Sequence, residues 1–544
     1  MERRDFLKIA SLGTVGAVTG SPRPAVAQTP SNGSRPNIIF VVSDQHRAGL
    51  TKRTGYPLDT SPTLDSLAEG GIGFDRAYAT TPLCVPSRTS MLTGRWPEAT
   101  HVRMNLDRYD AFFKKDLYDV AKELGYKTGL AGKNHTYLKQ EKLDFWREYA
   151  LARGYIPPYA PAKERAKYEK YNQWLRGLQA NVSLEPTPFP LEMQFPYRIV
   201  SDAIDFIDES ASGPFILQVG FLSPHDPEQV PKPYWDMFPP DQVPPRCAGP
   251  EALKNLGYRA QWLHGLEMDA FPQTDQVWRR YKSNYLGMLH LIDDQLKRLV
   301  DHLKQKNLFE NTIIVYLADH GDYLMDYGLA RKGVGLFECL TRIPMVWHGP
   351  GIRSSSAAAS AFVSMADVMP TLCEAMGAEI PHGVQGRSLW PILQGEDYPH
   401  DEFRSIYTGV GLGGLYYDES DHVPYSISER HLGPHAWDEL NGVTQSGNAK
   451  MVRMGDWKLI YDMMGYGQLY DLASDPCELK NLFGHPTAAK EQASLMAELL
   501  MWTIRSQDSL PTGPQNRKYH TKWSTKHNWY SPYRHGTAPE AFIP

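Results

Sequence analysis

The stretch NIIFVVSDQH, residues 37–46, decides how this chain folds. Ile38 to Val42 is an unbroken apolar, largely β-branched run of strand length, the pattern of a strand buried on both faces, and it stops at once at Asp44, Gln45 and His46. The pattern returns in YKTGLAGKNH (126–135), ending at Lys133 and His135, in PFILQVGFLSPHDP (214–227), ending at His225 and Asp226, and in NTIIVYLADHGD (311–322), ending at Asp319 and His320. Helical stretches lie between them: SPTLDSLAEGG with Ser61 as N-cap and Gly70 near its stop, DLYDVAKELG, YRIVSDAIDFIDES and YLGMLHLIDDQLKRLVDHLKQKN. Strands alternating with helices predict an α/β fold, a large mixed, mostly parallel sheet flanked by helices. Ligands of such sheets sit beyond the carboxyl ends of the strands, so Asp44, His135, His225, Asp319 and His320 are expected to meet at one edge.

The chain has 544 residues and a formal net charge of -5, too long for one simple core and without the basic surface that nucleic acid requires. Its first residues, MERRDFLKIA, carry Arg3 and Arg4 ahead of a mildly apolar stretch, and PAVAQTP offers an Ala-x-Ala cleavage site ending at Ala27. Residues 1–27 therefore resemble a twin-arginine export signal, and the Pro, Ser and Gly that follow would break an amphipathic helix there. No other run approaches the roughly 20 apolar residues of a membrane span, so the mature protein is expected to be soluble and periplasmic or secreted. The five cysteines are widely spaced and contain no CxxC, which is neither a zinc pattern nor a disulfide scaffold. Cys247, Cys339, Cys373 and Cys477 read as small core residues or an occasional disulfide.

Cys84 stands apart, two residues before a proline in PLCVPSRTSMLTGRWP (82–97), where a loop turns into a helix. Asp44 and Asp319, with Gln45 and His320, would suit a hard divalent cation, and Lys133, His135, His225 and Lys332 supply cations and proton donors of the kind that bind and cleave an anion. The segment CVPSRTSMLTGR resembles the Cys-x-Pro-x-Arg signature of the type I, formylglycine-dependent sulfatases of the alkaline phosphatase-like superfamily. PNIIFVVSDQHR, GLAGKNH, SPHDP and LADHGDYLMDYGLARKG resemble further elements of that family in its order, and MVRMGDWKLIYD with GQLYDLASDPCELKNLF resembles its C-terminal antiparallel part.

The resemblance implies that a formylglycine-generating enzyme oxidises Cys84 to Cα-formylglycine, whose hydrate is the nucleophile. Asp44, Gln45, Asp319, His320 and the modified Cys84 would hold calcium, with magnesium or manganese as alternatives. Arg88, one helical turn after Cys84, would support the hydrate, with the helix beginning near Ser87 adding its positive end. Lys133, Lys332 and Asn105 would bind sulfate oxygens, His135 would take the hydrate's proton, and His225 with Lys332 would protonate the departing alcohol. The chain departs from the pattern at Gln45, where many relatives have Asp, at His320, where others have Asn, and at Tyr327, where a histidine is frequent.

The expected organisation is a signal peptide over 1–27, a catalytic domain over 28–399, and an α+β subdomain on an antiparallel sheet with a helix over 400–510. An aromatic and basic tail follows over 511–544. In the subdomain MVRMGDWKLIYD reads as one strand, MMGYG as a turn, GQLYDL as the returning strand, and Leu495, Leu499 and Trp502 as the inner face of the helix. Aromatic and cationic residues crowd the insert from Asp144 to Pro190 and the tail, which suits a sulfated carbohydrate; choline sulfate and aryl sulfates are the alternatives. Two rival functions stand beside this one: a phosphodiester or phosphonate monoester hydrolase of the same superfamily, which tends to lack the Lys133/His135 pair, and a noncatalytic sulfatase-like carbohydrate-binding protein.

Overall fold

The strands are β1 (Asn37–Asp44), β2 (Ile72–Phe74), β3 (Ala77–Tyr78), β4 (Lys127–Gly132), β5 (Phe145–Glu148), β6 (Phe215–Pro224), β7 (Thr312–Ala318), β8 (Met345–His348), β9 (Val363–Ser364), β10 (Ser405–Val410), β11 (Ala449–Met454), β12 (Trp457–Asp462) and β13 (Gly467–Asp471). They come from a computed structural model that describes residues 35–508 apart from 106, 151–160, 179–180, 271–272, 334, 355–359 and 412–446. The export segment, the C-terminal tail and residues 151–160 of the aromatic insert lie outside the described residues.

Seven strands form the main sheet in the order β2-β8-β7-β1-β6-β4-β5. From β7 to β5 every neighbour is parallel, while β8 and β2 add an antiparallel edge. β1 is central and buried along its whole length: Ile38, Phe40 and Val42 pack into one core with Leu117, Met369 and Leu372, and Ile39 and Val41 into the opposite one with Ile199, Phe206 and Leu299. Both faces are covered, which is why the sequence there shows no polar alternation.

The helices run Pro62–Glu69, Leu117–Glu123, Phe195–Ser210 and Trp278–Gln305, the last starting earlier than the sequence pattern. Ser61 stands at the N-cap position of the first, but its side chain makes no capping bond. Asp293 of the long helix does so instead, accepting from Thr63 N at 2.8 Å and Leu64 N at 2.9 Å. A tertiary carboxylate thus satisfies the amides that a local serine was expected to serve.

β10 to β13 form a four-stranded antiparallel sheet. MVRMGDWKLIYD, expected as one strand, is two: Gly455 at φ +60° turns the chain, and Met454 pairs with Trp457. Tyr407, Val452, Leu459 and Leu469 pack against Leu495, Leu499 and Trp502 of the helix Ala489–Gln507. The opposite face, with Ile406, Met451, Ile460 and Tyr470, packs against Tyr323, Tyr327 and Leu336 of the segment that follows β7.

Of the cysteines, Cys339 and Cys373 are free and buried, while Cys247 and Cys477 form a disulfide across 230 residues of sequence. A cross-link closing so long a loop restricts the unfolded chain strongly. Cys477→Ser should lower stability by about 2–4 kcal/mol, measured by denaturant unfolding without reductant. An unchanged midpoint would show that the bond contributes nothing.

Candidate active site

Because β1 and β7 are parallel neighbours with Ser43 opposite Ala318, their next residues leave the sheet side by side. Asp44 and Asp319 therefore stand together: Asp319 N donates to Ser43 O at 3.3 Å, and Asp319 Oδ1 accepts from Gln45 N at 3.0 Å. His320 Nε2 lies 3.6 Å from Asp44 Oδ1 and 3.7 Å from Asp319 Oδ1. Its Nδ1 lies 2.9 Å from Gly321 O; a carbonyl only accepts, so Nδ1 carries the hydrogen and Nε2 faces the carboxylates.

Cys84 completes this group. Its helix spans Cys84–Thr93 and so begins three residues before the expected Ser87, with Pro86 in the first turn, where a missing amide hydrogen costs nothing. Cys84 Sγ is 3.2 Å from His320 Nε2 and 3.8 Å from Asp44 Oδ1. Ligand atoms of Asp44, Cys84, Asp319 and His320 all lie within 4.8 Å of one another, and all four residues are buried. Burial and Asp44 push the thiol up to about 12, so at neutral pH residue 84 is not a thiolate.

Cations surround the carboxylates. Lys133 Nζ touches Asp44 Oδ2. The lysine is delivered by a close approach of β4 to β6: a Cβ on Gly132, at φ +105°, would overlap the carbonyl oxygen of Gly220, and Lys133 N bonds Gly220 O at 2.7 Å. Arg88 Nε donates to Asp319 Oδ2 at 2.7 Å and its Nη1 to Lys133 O at 3.3 Å, while Gln218 Nε2 holds the same carbonyl at 3.1 Å. Burial alone would raise Asp44, yet Lys133, His225, Arg88 and His320 hold it well below the usual carboxylate range. Burial and Asp44 would raise Asp319, and Arg88, His320 and Lys133 keep it low. Burial lowers His320 to about 4, and burial with Lys133 and Arg88 holds His135 well below an ordinary histidine, so both imidazoles are neutral at pH 7.

His225 lies at this edge, its Nε2 3.0 Å from Lys332 Nζ and its Nδ1 3.0 Å from Asp226 Oδ1. Gln45, at φ +67°, donates its amide to Asp322 Oδ2 at 2.6 Å and turns its oxygen to Lys332 Nζ at 3.3 Å. Asn105 Oδ1 accepts from Val85 N at 3.0 Å and so caps the first turn of the Cys84 helix. The sequence-predicted residues thus gather at one sheet edge. Asp322, which orients Gln45, Gln218 and Ser87, which donates to Asp319 O at 2.6 Å, were missed; their only signal is polarity in an apolar context.

Two carboxylates and an imidazole with its lone pair turned inward are a donor set that fits a divalent cation. Arg88 Nη2 and His135 Nδ1 are buried without hydrogen-bond partners among the described residues, which fits an anion bound beside them.

This geometry, a metal-type cluster and buried cations at the carboxyl ends of a parallel sheet, is that of a site for a cation and an anion side by side. The sulfatase family model matches residues 36–378, more than half of the chain. The chain belongs to the sulfatase family, and it is an enzyme of the sulfuric ester hydrolase class. It is 24% identical over 522 residues to the choline-sulfatase of Rhizobium meliloti, covering 92% of this chain and 93% of the relative. It is also 24% identical to the N-acetylglucosamine-6-O-sulfatase of Bacteroides thetaiotaomicron over 527 residues, covering 85% of each. The phosphonate monoester hydrolase of Agrobacterium radiobacter shares its fold, with a TM-score of 0.69, 23% identity and coverage of 87% of this chain and 96% of that one.

Calcium added to chelator-treated protein should raise the unfolding temperature, by an amount equivalent to about 2.7 kcal/mol at a hundred times its Kd. In Asp319→Asn the shift should shrink or vanish; an equal shift in both would place the ion elsewhere.

Proposed function

We propose that the chain hydrolyses the sulfate ester of a sulfated saccharide after conversion of Cys84 to formylglycine. The observation that carries this is the position of Cys84: its side chain lies against Asp44 and His320, not in the core. Asp44, Asp319, His320 and the modified residue 84 would hold the ion, calcium in preference to magnesium or manganese, with Gln45 beside it. When bound, the ion supplies Lewis-acid polarisation of a sulfate oxygen, and formylglycine supplies the nucleophilic hydroxyl that a protonated thiol does not.

The chain's own residues do the rest. Lys133, Lys332 and Asn105 orient the sulfate, and Arg88, fixed on Asp319, presents its remaining N–H groups to it. His135, kept neutral by its surroundings, serves as the base. His225 with Lys332 delivers a proton to the departing alcohol oxygen. The Lys133/His135 pair favours sulfate over phosphodiester or phosphonate.

A saccharide is supported by an exposed aromatic ring flanked by cations. Tyr109 is 64% exposed, with the Arg108 guanidinium 4.7 Å and Lys139 Nζ 6.0 Å from its ring centre. These residues sit on the two loops that carry Asn105 and Lys133. A ring flanked by cations suits an anionic sugar. The Cys247–Cys477 disulfide supports export to an oxidising compartment, as does the N-terminal segment. Among the described residues no helix is long and apolar enough to cross a membrane.

Mass spectrometry of the peptide containing residue 84, from protein made with a formylglycine-generating enzyme, should show the aldehyde; a thiol in fully active protein would sink the reading. Cys84→Ala should lose at least about a thousandfold in kcat/KM while keeping its unfolding temperature. On a panel of sulfated mono- and oligosaccharides, choline sulfate, p-nitrophenyl sulfate and bis-p-nitrophenyl phosphate, sulfated sugars should be cut fastest. Turnover of the phosphodiester alone would favour the rival.

A further inference from the structure

Lys282 stands near the start of the helix Trp278–Gln305 and is 5% exposed. Among the described residues its ammonium makes one hydrogen bond, to Pro245 O at 3.2 Å, and no carboxylate lies within ion-pair distance of it. A buried ammonium has three hydrogens to place and a charge to offset, so one carbonyl leaves it under-served. Burial and Arg47 lower it to about 8, and it keeps its charge at pH 7.

Lys282 lines a cavity of about 220 Å³, far more than one water fills, between the loop after β1, the segment around Cys247 and the segment after β7. None of the residues placed in the active site lines it. The carboxylates on its wall already have cations: Arg47 Nη1 is 2.7 Å from Asp326 Oδ2, Arg453 Nη1 2.7 Å from Glu338 Oε2, and Lys458 Nζ 2.8 Å from Glu478 Oε1. Arg342 Nε lies 3.7 Å from the same Glu338 oxygen. Lys282 has no such counterpart, and Tyr56 OH, on the same cavity, is buried without a hydrogen-bond partner among the described residues.

We propose that this cavity is a second anion site, separate from the catalytic one, in which the Lys282 ammonium and the Tyr56 hydroxyl hold a small oxyanion. An oxyanion supplies at once the negative charge that Lys282 lacks and acceptors for both donors. A cation would add to the unbalanced charge, and a neutral ligand would leave it unanswered. Leu50, Leu324, Pro244 and Pro245 give the cavity apolar walls, which strengthen a charge-assisted hydrogen bond by lowering the local dielectric. The site needs neither formylglycine nor a metal, so its test stands apart from the reaction proposed above.

The experiment titrates inorganic sulfate into wild type, Lys282→Met and Tyr56→Phe, by calorimetry and by unfolding temperature, with acetate in a parallel series and chloride at matched ionic strength as reference. Sulfate also stabilises proteins by exclusion from their surface and binds at the catalytic cations, alike in all three proteins, so the part lost with Lys282 or Tyr56 reports the cavity. Lys282→Met keeps the length of the side chain and should weaken that part at least about tenfold; Tyr56→Phe should weaken it about threefold to tenfold. In chloride, Lys282→Met should melt no lower than wild type, because a buried ammonium without a counter-charge costs stability that an apolar side chain does not. A Lys282-dependent gain with either anion supports the site, and the larger of the two tells a tetrahedral oxyanion from a carboxylate. Equal gains in wild type and Lys282→Met, or no binding by wild type, would overturn the proposal. A Lys282→Met protein that melts far lower in chloride yet gains as much from sulfate would mark the lysine as structural only and overturn it too. Should Lys282→Met not fold, Tyr56→Phe decides, and binding unchanged in that variant would overturn the proposal.

Discussion

Two buried carboxylates that the sheet forces into contact govern the rest of this molecule. Parallel pairing of β1 and β7 leaves Asp44 and Asp319 no freedom to separate, and both are wholly buried. Charges removed from water and set against each other are tolerated only where opposite charge is supplied at close range. Arg88 on Asp319 and Lys133 on Asp44 supply it in the protein itself, and a divalent cation among Asp44, Asp319 and His320 would supply more. The surrounding cations therefore have two functions. They keep the carboxylates ionised, and once a cation sits between the carboxylates, they are left facing an anionic substrate.

The second constraint is the path from β7 to Lys332. Leu324, Met325, Tyr327 and Arg331 all have positive φ, a conformation that costs a non-glycine residue on the order of 1 kcal/mol or more each. Tertiary bonds hold the segment there. Tyr327 N donates to Ala248 O at 2.7 Å, Tyr327 OH to Cys477 O at 2.7 Å, and Cys247 N to Asp326 Oδ1 at 2.7 Å. The disulfide thus joins the two chain segments that grip Tyr327 and Asp326, and the antiparallel sheet packs behind them. The tyrosine hydroxyl ties Lys332's loop to the C-terminal part, which gives that part a role in placing Lys332.

Most of the main sheet was legible because β1, β6 and β7 are long, apolar and buried on both faces, and each ends in ionisable groups. The resemblance to the sulfatases, borne out by the family match, covered the same segments. The short strands β2, β5 and β8 were not legible, since three or four residues carry no periodicity and take their register from neighbours. The Gly455 turn inside MVRMGDWKLIYD was overlooked although glycine followed by aspartate between apolar runs is a hairpin signal. Asp293 as a helix cap, Asp322 on Gln45 and the pairing of Cys247 with Cys477 join residues more than 200 positions apart, and no local pattern announces them.

The site contains two histidines held alike at Nδ1, each by the backbone carbonyl of the next residue, and what faces Nε2 sets them apart. His320 gives its Nδ1 hydrogen to a backbone carbonyl of Gly321, a neutral acceptor, and burial lowers it to about 4. Such a ring stays neutral and offers a lone pair, which is what a cation needs. His225 likewise has its Nδ1 3.2 Å from the backbone carbonyl of the next residue, Asp226, but its Nε2 faces an ammonium instead of carboxylates. One strand end therefore turns its histidine toward two carboxylates and the other toward a lysine, although each presents a histidine next to an aspartate in sequence. The order is reversed, Asp319–His320 against His225–Asp226, so in the first pair the acid joins its histidine in the ion site, and in the second it stands behind the ring.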